Sequence, residues 1–290
     1  MIDKMKLMHH TGDQLVTILD EEITDLHKYL TNLEPEDFTK ASSAKGWTNA
    51  DVISHLTMGA MSYHMYLSRA LEGILDPPPG LPQPSRGYLA KDVSKTILES
   101  TKQIEYGGSS TLIERFHTNC KKLQKLLLTL RKEDWTQPVY HRLGNTTIRG
   151  LLLYRISEVC LHEWDIKYSL ASTPSLHPRT IHPLLERIPG WLDWVFKPGN
   201  IGHNYPIYYR YYVTNPIQTF WEIIIHDNSY KILYEPSSNT PDVEFESDSL
   251  TAILFLTGRL KAKDLITTNR LNFRGSKKNL EAFLNSYTSI

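Results

Sequence analysis

The residues best placed to do chemistry are a carboxylate and two imidazoles, Glu158, His162 and His55. Glu158 and His162 lie four residues apart in Leu151 to Leu170, a segment that reads as a helix, so both side chains emerge from one helix face, one turn apart. Such a pair can bind one metal ion, and a catalytic site with three protein ligands and a water needs one more. The candidate is His55, in the segment GWTNADVISHL. These three residues predict a metal site if two distant helices bring them together.

Each of these residues also has a purely structural interpretation. A Glu and a His four apart on a helix often form only a surface pair worth about 0.2–0.5 kcal/mol, and single histidines are common in cores. Two features favour ligation. The three side chains stand among apolar residues, where an unpaired carboxylate costs several kcal/mol. Each imidazole also has an aspartate within a turn, Asp51 or Asp165, as ligating histidines usually do, although Asp51 is equally placed to cap the helix that begins at Thr48.

The cysteines and the known catalytic motifs narrow the chemistry. Cys120 and Cys160 are the only two cysteines, too few for a disulfide framework, and we expect both to be reduced and buried. Cys160 lies about 200° around the helix from Glu158 and should point away from a metal there. The segment HEWD lacks the second histidine of HExxH, and the chain contains no phosphate-binding glycine loop and no nucleophile elbow. The sequence therefore gives no support for a zincin peptidase, a nucleotide-binding protein or an α/β-hydrolase.

The composition indicates the kind of partner. Among 290 residues, 32 basic side chains balance 32 acidic ones, so no global field attracts nucleic acid or an anionic membrane. No run approaches the roughly 18 apolar residues of a membrane span, and the first residues hold no apolar run of signal-peptide length. The tyrosine-rich run Tyr205 to Tyr212 could stack on bases, but a strand is the commoner outcome. We expect a cytoplasmic protein with a small-molecule substrate and without nucleic acid or membrane as partner. The sequence leaves the oligomeric state open.

The elements that must position these residues are amphipathic helices. Apolar residues recur at intervals of three and four in four long segments: Asp13 to Leu33, Thr48 towards Leu75, Ser110 or Thr111 to Leu130, and Thr147 to Leu170. Five prolines make 76–87 a crossover loop, and a weaker helix is expected from Leu89 to Ile104. A polar connection is expected from Lys132 to Arg142. Four long helices predict a four-helix bundle, where buried sites are built from inward-pointing residues on facing helices.

After Leu170 the pattern changes. A linker is expected first, and then a short helix from Thr180 to Val195, interrupted near Pro189 and Gly190. Aromatic and β-branched segments then predict an antiparallel meander of PIYYRYYVT, QTFWEIII and SYKILYE. The remaining expected elements are a strand at Val243 to Glu246, a helix capped by Asp248, a helical turn at Lys261 to Thr267, a strand in LNFRG and a helix starting at Ser276. The chain is thus expected to hold a four-helix bundle, 1–172, and a smaller α+β domain, 173–290.

Two motifs resemble a known family. GWTNADVISHL resembles the GWTxxDxxxHL signature of the DinB-like metal-binding bundle, in the branch named after mycothiol-dependent maleylpyruvate isomerase, and SEVCLHEWDI resembles its ExxxHxWD segment. The resemblance covers roughly Asp13 to Ala171 and implies His55, Glu158 and His162 as ligands of a divalent metal, usually zinc. SDSLTAILFLTGRL and LNFRG look like the sterol-carrier-like antiparallel-sheet domain that often follows this bundle. The family further implies a low-molecular-weight thiol such as mycothiol, used in isomerisation or transfer chemistry.

The function expected from these observations is that of a divalent-metal-dependent enzyme that uses a mycothiol-like thiol for isomerisation or S-transfer on a small electrophilic substrate. Two imidazoles and a carboxylate suit zinc, although the ligand types leave nickel, manganese and iron open. Arg259 and Arg270, with Arg274 as a further candidate, are predicted to bind substrate carboxylates or polar groups of the cofactor. Two alternatives stay open: a non-catalytic protein that binds a metal or a small ligand, and a metal-dependent hydrolase.

Overall fold

The computed structural model describes residues 9–84, 90–102, 107–170, 174–196, 205–226 and 229–287, with the backbone alone for 90–94. A helical N-terminal region precedes a region with a mixed sheet, which confirms the predicted fold class. The chain divides into two compact units, with the main division between Pro183 and Leu184. The boundary predicted from the sequence falls at 172–173, and residues 171–173 lie outside the described ones. None of the described helices is long and apolar enough to cross a membrane.

The helical unit is built around four long helices. Its elements in chain order are α1 (Gly12–Leu30), α2 (Pro35–Thr39), α3 (Asn49–Leu71), α4 (Ala90–Lys102), α5 (Ser109–Leu127), a 3-10 turn (Asp134–Thr136), β1 (Pro138–Val139), β2 (Thr146–Thr147), α6 (Ile148–Leu170) and the first part of α7 (Pro178–Val195). Helix α3 packs against α5 and α6, and α1 packs against the same two helices. Their apolar stripes form the core, in which Leu26, Ile53, Phe116 and Ile156 are fully buried. The four-helix bundle predicted from the periodicity is therefore present.

Local signals decide where the helices begin. The capping box predicted for α3 is confirmed: the Asp51 N–H donates to the Thr48 hydroxyl at 3.1 Å, and the Thr48 N–H donates to Asp51 Oδ2 at 2.8 Å. The start predicted for α5 at Ser110 or Thr111 is wrong, because the N-cap residue is Gly108, which makes no side-chain cap bond. Gly108 has a φ of 97°, a conformation that glycine adopts without a steric penalty.

The connections also differ in detail from the expectation. Helix α1 ends at Leu30 rather than Leu33, and α3 ends at Leu71 rather than near Leu75. The proline-rich loop has no helix or strand in its described part, 76–84, and its remaining residues lie outside the described ranges, as does Ile104. A small hairpin begins in the predicted polar connection, where β1 pairs antiparallel with β2, which lies beyond Arg142.

The interruption predicted near Pro189 and Gly190 is wrong, because α7 runs without a break. A proline inside a helix removes one backbone hydrogen bond and costs stability. Here the apolar stripe of the helix is buried, with Leu185 and Ile188 at most 1 % exposed, and this packing offsets the cost. Tertiary burial thus overrides the local signal.

The second unit is a five-stranded mixed sheet with helices. After the end of α7 its elements are β3 (Ile207–Val213), β4 (Thr219–His226), β5 (Ser229–Leu233), β6 (Val243–Ser247), α8 (Ser249–Leu256), α9 (Ala262–Thr267), β7 (Asn272–Gly275) and α10 (Lys277–Asn285). The strand order is β5-β4-β3-β6-β7, and the predicted meander of β3, β4 and β5 is confirmed. The sheet is not wholly antiparallel as predicted, because β6 pairs parallel with β3. The side-chain caps predicted for α8 and α10, Asp248 and Ser276, are confirmed.

The two faces of this sheet carry different side chains. On one face, Tyr211 and Phe245 stack with ring centroids 5.6 Å apart and meet Phe255 of α8 and Phe283 of α10. On the other face, Arg210 of β3 pairs with Glu222 of β4, and the Glu222 side chain is fully buried. Alternation along the strands therefore places an aromatic core on one side and a buried ion pair on the other.

Candidate metal centre

Helices α3 and α6 bring His55, Glu158 and His162 together, and we call these three residues the His–Glu–His cluster. His55 Nε2 lies 3.1 Å from Glu158 Oε1. The rings of His55 and His162 have centroids 5.0 Å apart and are nearly perpendicular, at 82°. The side chains are 12 %, 19 % and 19 % exposed, respectively. The cluster thus lies mostly inside the bundle, with part of each side chain accessible to solvent.

A carboxylate orients the His162 ring. His162 Nδ1 lies 3.0 Å from Asp165 Oδ2, which confirms the contact predicted from their spacing. Asp165 Oδ1 in turn accepts a hydrogen bond from the Ser43 hydroxyl at 2.8 Å. An imidazole that donates its Nδ1–H to a carboxylate carries its lone pair on Nε2, which is the form that binds metals. Ser43 was not identified from the sequence, since a contact across 122 positions leaves no local signal.

Trp47, which belongs to the same motif as His55, covers both imidazoles. Its ring centroid lies 5.3 Å from that of His55 in an edge-to-face arrangement, and 6.3 Å from that of His162. The indole therefore forms an apolar side of the cluster. Its place in the sequence next to the capped start of α3 was the only signal available for this role.

Arg155 contacts the carboxylate of the cluster from inside the bundle. Its side chain is fully buried and donates to Glu158 Oε2 at 2.8 Å. Burial by itself raises the pKa of Glu158, but the hydrogen bonds and the charges of His55 and Arg155 outweigh it and bring that pKa far below its usual value. Glu158 is consequently ionised throughout the physiological range. The sequence analysis missed Arg155, although its position three residues before Glu158 places both on one helix face.

The two cysteines have structural surroundings. Both are buried and neither forms a disulfide. Cys160 lies 3.7 Å from Glu22 of α1, on the side of α6 opposite Glu158, as predicted. Cys120 accepts a hydrogen bond from Arg155 at 3.6 Å. Burial raises the pKa of both thiols, so neither side chain provides a thiolate near neutral pH.

The arginines predicted to bind substrate lie in the sheet unit. Arg259 is half-buried, and its guanidinium donates to the Thr257 carbonyl at 3.3 Å. Arg270 is exposed and donates to the Thr251 hydroxyl at 3.2 Å. Arg274 is 86 % exposed, with its guanidinium 3.9 Å from Glu244. Their role in binding a substrate stays a prediction.

The donor atoms of the cluster suit a zinc ion in type, and the two separations known for the cluster are close to those of zinc ligands. Ligands bound to one tetrahedral zinc at about 2.0–2.2 Å lie about 3.3–3.6 Å from one another, and the centroids of two such imidazoles lie about 5 Å apart. The corresponding distances here are 3.1 Å and 5.0 Å. With the side chains as they stand, no group of three or more His, Cys, Asp and Glu residues within the described ranges is arranged to hold a metal ion. Ligation would replace the His55–Glu158 contact with two bonds to the metal.

Two crystal structures share this architecture over most of both chains. A structure of the mycothiol-dependent maleylpyruvate isomerase is similar with a TM-score of 0.61 and 14% identity, covering 87% of this chain and 91% of that one. A structure of a histidine-to-alanine mutant of the mycothiol-dependent maleylpyruvate isomerase has a TM-score of 0.62 and 13% identity, covering 91% and 93%. At this identity the likeness shows the fold, a DinB-like bundle followed by a sheet domain.

The sequence itself places the chain in a family. The family model described as the mycothiol maleylpyruvate isomerase N-terminal domain matches residues 19–167, and the chain belongs to this family. The matched part contains all of the His–Glu–His cluster. None of the curated proteins matches the chain.

Proposed function

We propose that this protein is a metal- and thiol-dependent enzyme that isomerises, or transfers sulfur to, a small electrophilic substrate, with His55, Glu158 and His162 as the metal ligands. The observation that carries the proposal is the spacing of two imidazoles and an ionised carboxylate, 3.1 Å and 5.0 Å, on facing helices of the bundle. Membership of a family named for mycothiol and maleylpyruvate isomerase supports the reaction class.

Zinc is the metal that we propose, with nickel, manganese and iron as alternatives. A divalent cation in an open site lowers the pKa of a bound thiol or water, so that the anion exists near neutral pH. The residues of the chain have separate parts in such a site. His55 and His162 offer neutral imidazole nitrogens, Asp165 fixes the orientation of His162, and Trp47 keeps bulk water from one side.

The surroundings of the two cysteines support a thiol that comes from outside the chain. Cys120 is buried beside Arg155, and Cys160 lies on the far side of α6. Burial raises the pKa of both thiols, which disfavours the thiolate. A reaction that needs a thiolate near Glu158 therefore requires a diffusible thiol, and the family name points to mycothiol.

The role predicted for Arg259 and Arg270 can be tested by kinetics. If Arg259 and Arg270 hold substrate carboxylates, replacing either with alanine removes a charge-assisted hydrogen bond of about 1.5–3 kcal/mol, so KM should rise about 10- to 100-fold with a smaller change in kcat. Lys263→Ala, which removes an exposed cation from α9, serves as the control and should leave KM unchanged. Equal KM values for all three variants and the wild type would remove both arginines from the proposal.

The whole proposal is tested by turnover of maleylpyruvate by metal-loaded and chelator-treated protein, with mycothiol, with other low-molecular-weight thiols and without thiol. Turnover that requires both metal and thiol is the expected result. Turnover without thiol would indicate a metal-dependent hydrolase that activates water. A bound metal without turnover of maleylpyruvate or of halo-aromatic electrophiles would indicate a binding protein and overturn the enzymatic proposal.

A further inference from the structure

Arg155 donates a hydrogen bond to Glu158 inside the bundle. We propose that Arg155 is a positioning residue: its guanidinium binds one carboxylate oxygen of Glu158 and leaves the other oxygen as the single one presented to the metal. The inference rests on the proposed role of the His–Glu–His cluster as a metal site. It adds a residue that determines the coordination number of the ion and therefore the preference among divalent cations.

The first observation is the way Arg155 is held. The side chain is fully buried and makes hydrogen bonds to three different elements of the bundle. It donates to Glu158 Oε2 of α6 at 2.8 Å, to the Leu56 carbonyl of α3 at 2.8 Å and to the Cys120 sulfur of α5 at 3.6 Å. A guanidinium fixed from α3 and α5 cannot follow movements of the carboxylate. It holds Glu158 in one orientation instead.

The second observation is Gly59, which faces this pair from α3. A Cβ atom at position 59 would lie 2.5 Å from an Arg155 nitrogen and 2.8 Å from Glu158 Oε2, closer than real Cβ contacts allow. Glycine is unfavourable in the middle of a helix, so a glycine at position 59 indicates that space is needed there. This space admits the guanidinium–carboxylate pair, and any larger residue would displace the pair.

The two oxygens of Glu158 consequently have different partners. Oε2 is occupied by Arg155, while Oε1 lies 3.1 Å from His55 Nε2, on the side of the imidazoles. A carboxylate held in this way binds an ion through one oxygen. One oxygen and two imidazole nitrogens leave a fourth position open on a tetrahedral ion, which suits zinc. Manganese prefers more oxygen ligands and gains from a carboxylate that binds through both oxygens.

The experiment compares cation preference in the wild type, Arg155→Met and Arg155→Lys. Dissociation constants for Zn²⁺ and Mn²⁺ are measured by competition with a chromophoric chelator. Both ions are divalent, so loss of the guanidinium charge changes both dissociation constants equally. The ratio of the two dissociation constants therefore reports the geometry of the site. We expect Arg155→Met to shift the ratio towards Mn²⁺ by about tenfold or more, as changes next to ligands typically do, and Arg155→Lys to recover part of the shift. The visible bands of bound Co²⁺ should weaken in Arg155→Met as its coordination number rises.

Gly59→Ala provides a second variant that keeps the guanidinium in the sequence but displaces it from Glu158. Circular dichroism shows which variants are folded, and a folded Gly59→Ala should shift the ratio in the same direction. Arg210→Met, which breaks the buried ion pair of the sheet unit, is the matched control and should keep the wild-type ratio.

The outcomes separate the two proposals. If Arg155→Met is folded and keeps the wild-type ratio of dissociation constants and the wild-type cobalt spectrum, the positioning role is overturned. If Arg155→Met does not fold, the same result in a folded Gly59→Ala overturns it. If His55→Ala lost the metal in the same experiment, the proposed metal site would still stand. A wild type that binds none of the three cations would overturn both.

Discussion

The His55→Ala variant is expected to lose the metal that we propose for the His–Glu–His cluster, with a dissociation constant for zinc at least about 100-fold higher than in the wild type. Zinc binding to a site with four ligands has a free energy of about 10–16 kcal/mol. One ligand therefore accounts for about 3 kcal/mol, which is roughly 100-fold or more in affinity. Thiol-dependent turnover should fall with the metal content. The measurements are the metal content of freshly purified protein, chelator competition and turnover of maleylpyruvate.

The fold should survive this substitution. Glu158 keeps its hydrogen bond to Arg155 at 2.8 Å, so removal of the imidazole leaves no uncompensated carboxylate. His64→Ala is the matched control, because His64 lies on the same helix, nine residues further on and away from the His–Glu–His cluster. It should keep the wild-type metal content. A His55→Ala protein that still holds one equivalent of metal would show that the assignment of the ligands is wrong.

The sequence was sufficient to find the cluster because its members obey local rules. Glu158 and His162 share a helix face through the 3.6-residue period, and the same period places Cys160 on the opposite face. Asp165 follows His162 by three residues, so its contact with the ring could also be predicted. His55 entered the prediction through its motif and its apolar neighbours. The structure then brings its ring to within 3.1 Å of Glu158.

The burial of Arg155 and the contact of Ser43 could not be predicted with the same rules. An arginine is almost never fully buried unless it is paired, and whether Arg155 is buried depends on the opposing helix, where Gly59 leaves room for it. Ser43 reaches Asp165 only through the packing of the segment before α3 against α6. The burial of Arg155 and the contact of Ser43 are consequences of tertiary structure, which the spacing along one helix does not contain.

The same distinction explains the errors in the fold. The segments of β3, β4 and β5 follow one another closely, so their antiparallel pairing could be predicted. The parallel pairing of β6 with β3 joins strands that are not consecutive, and no local pattern specifies it. At Pro189 the local signal predicted a break, but burial of the stripe around Leu185 keeps α7 continuous. Local chemistry therefore determined most of the elements, while packing determined their partners and the continuity of α7.

Arg210→Met is expected to destabilise the protein by about 3–5 kcal/mol, because it leaves the carboxylate of Glu222 buried without a counter-charge. Arg210 Nε lies 2.5 Å from Glu222 Oε2, and the Glu222 side chain is fully buried. The Arg210 guanidinium also donates to the carbonyls of Ser237 and Asn239, at 2.9 Å and 2.6 Å, so the loop after β5 loses two of its hydrogen bonds to the sheet. Urea titration followed by circular dichroism measures the change.

The same sheet provides the control. Arg274 is 86 % exposed and lies 3.9 Å from Glu244, so Arg274→Met should change the free energy of unfolding by less than about 0.5 kcal/mol. The double variant Arg210→Met, Glu222→Met replaces both charges with apolar groups and should recover most of the stability lost in the single variant. The expected loss of stability arises from the unpaired carboxylate rather than from a missing attraction. A double variant as unstable as Arg210→Met would therefore contradict this account. A single variant as stable as the wild type would contradict it as well.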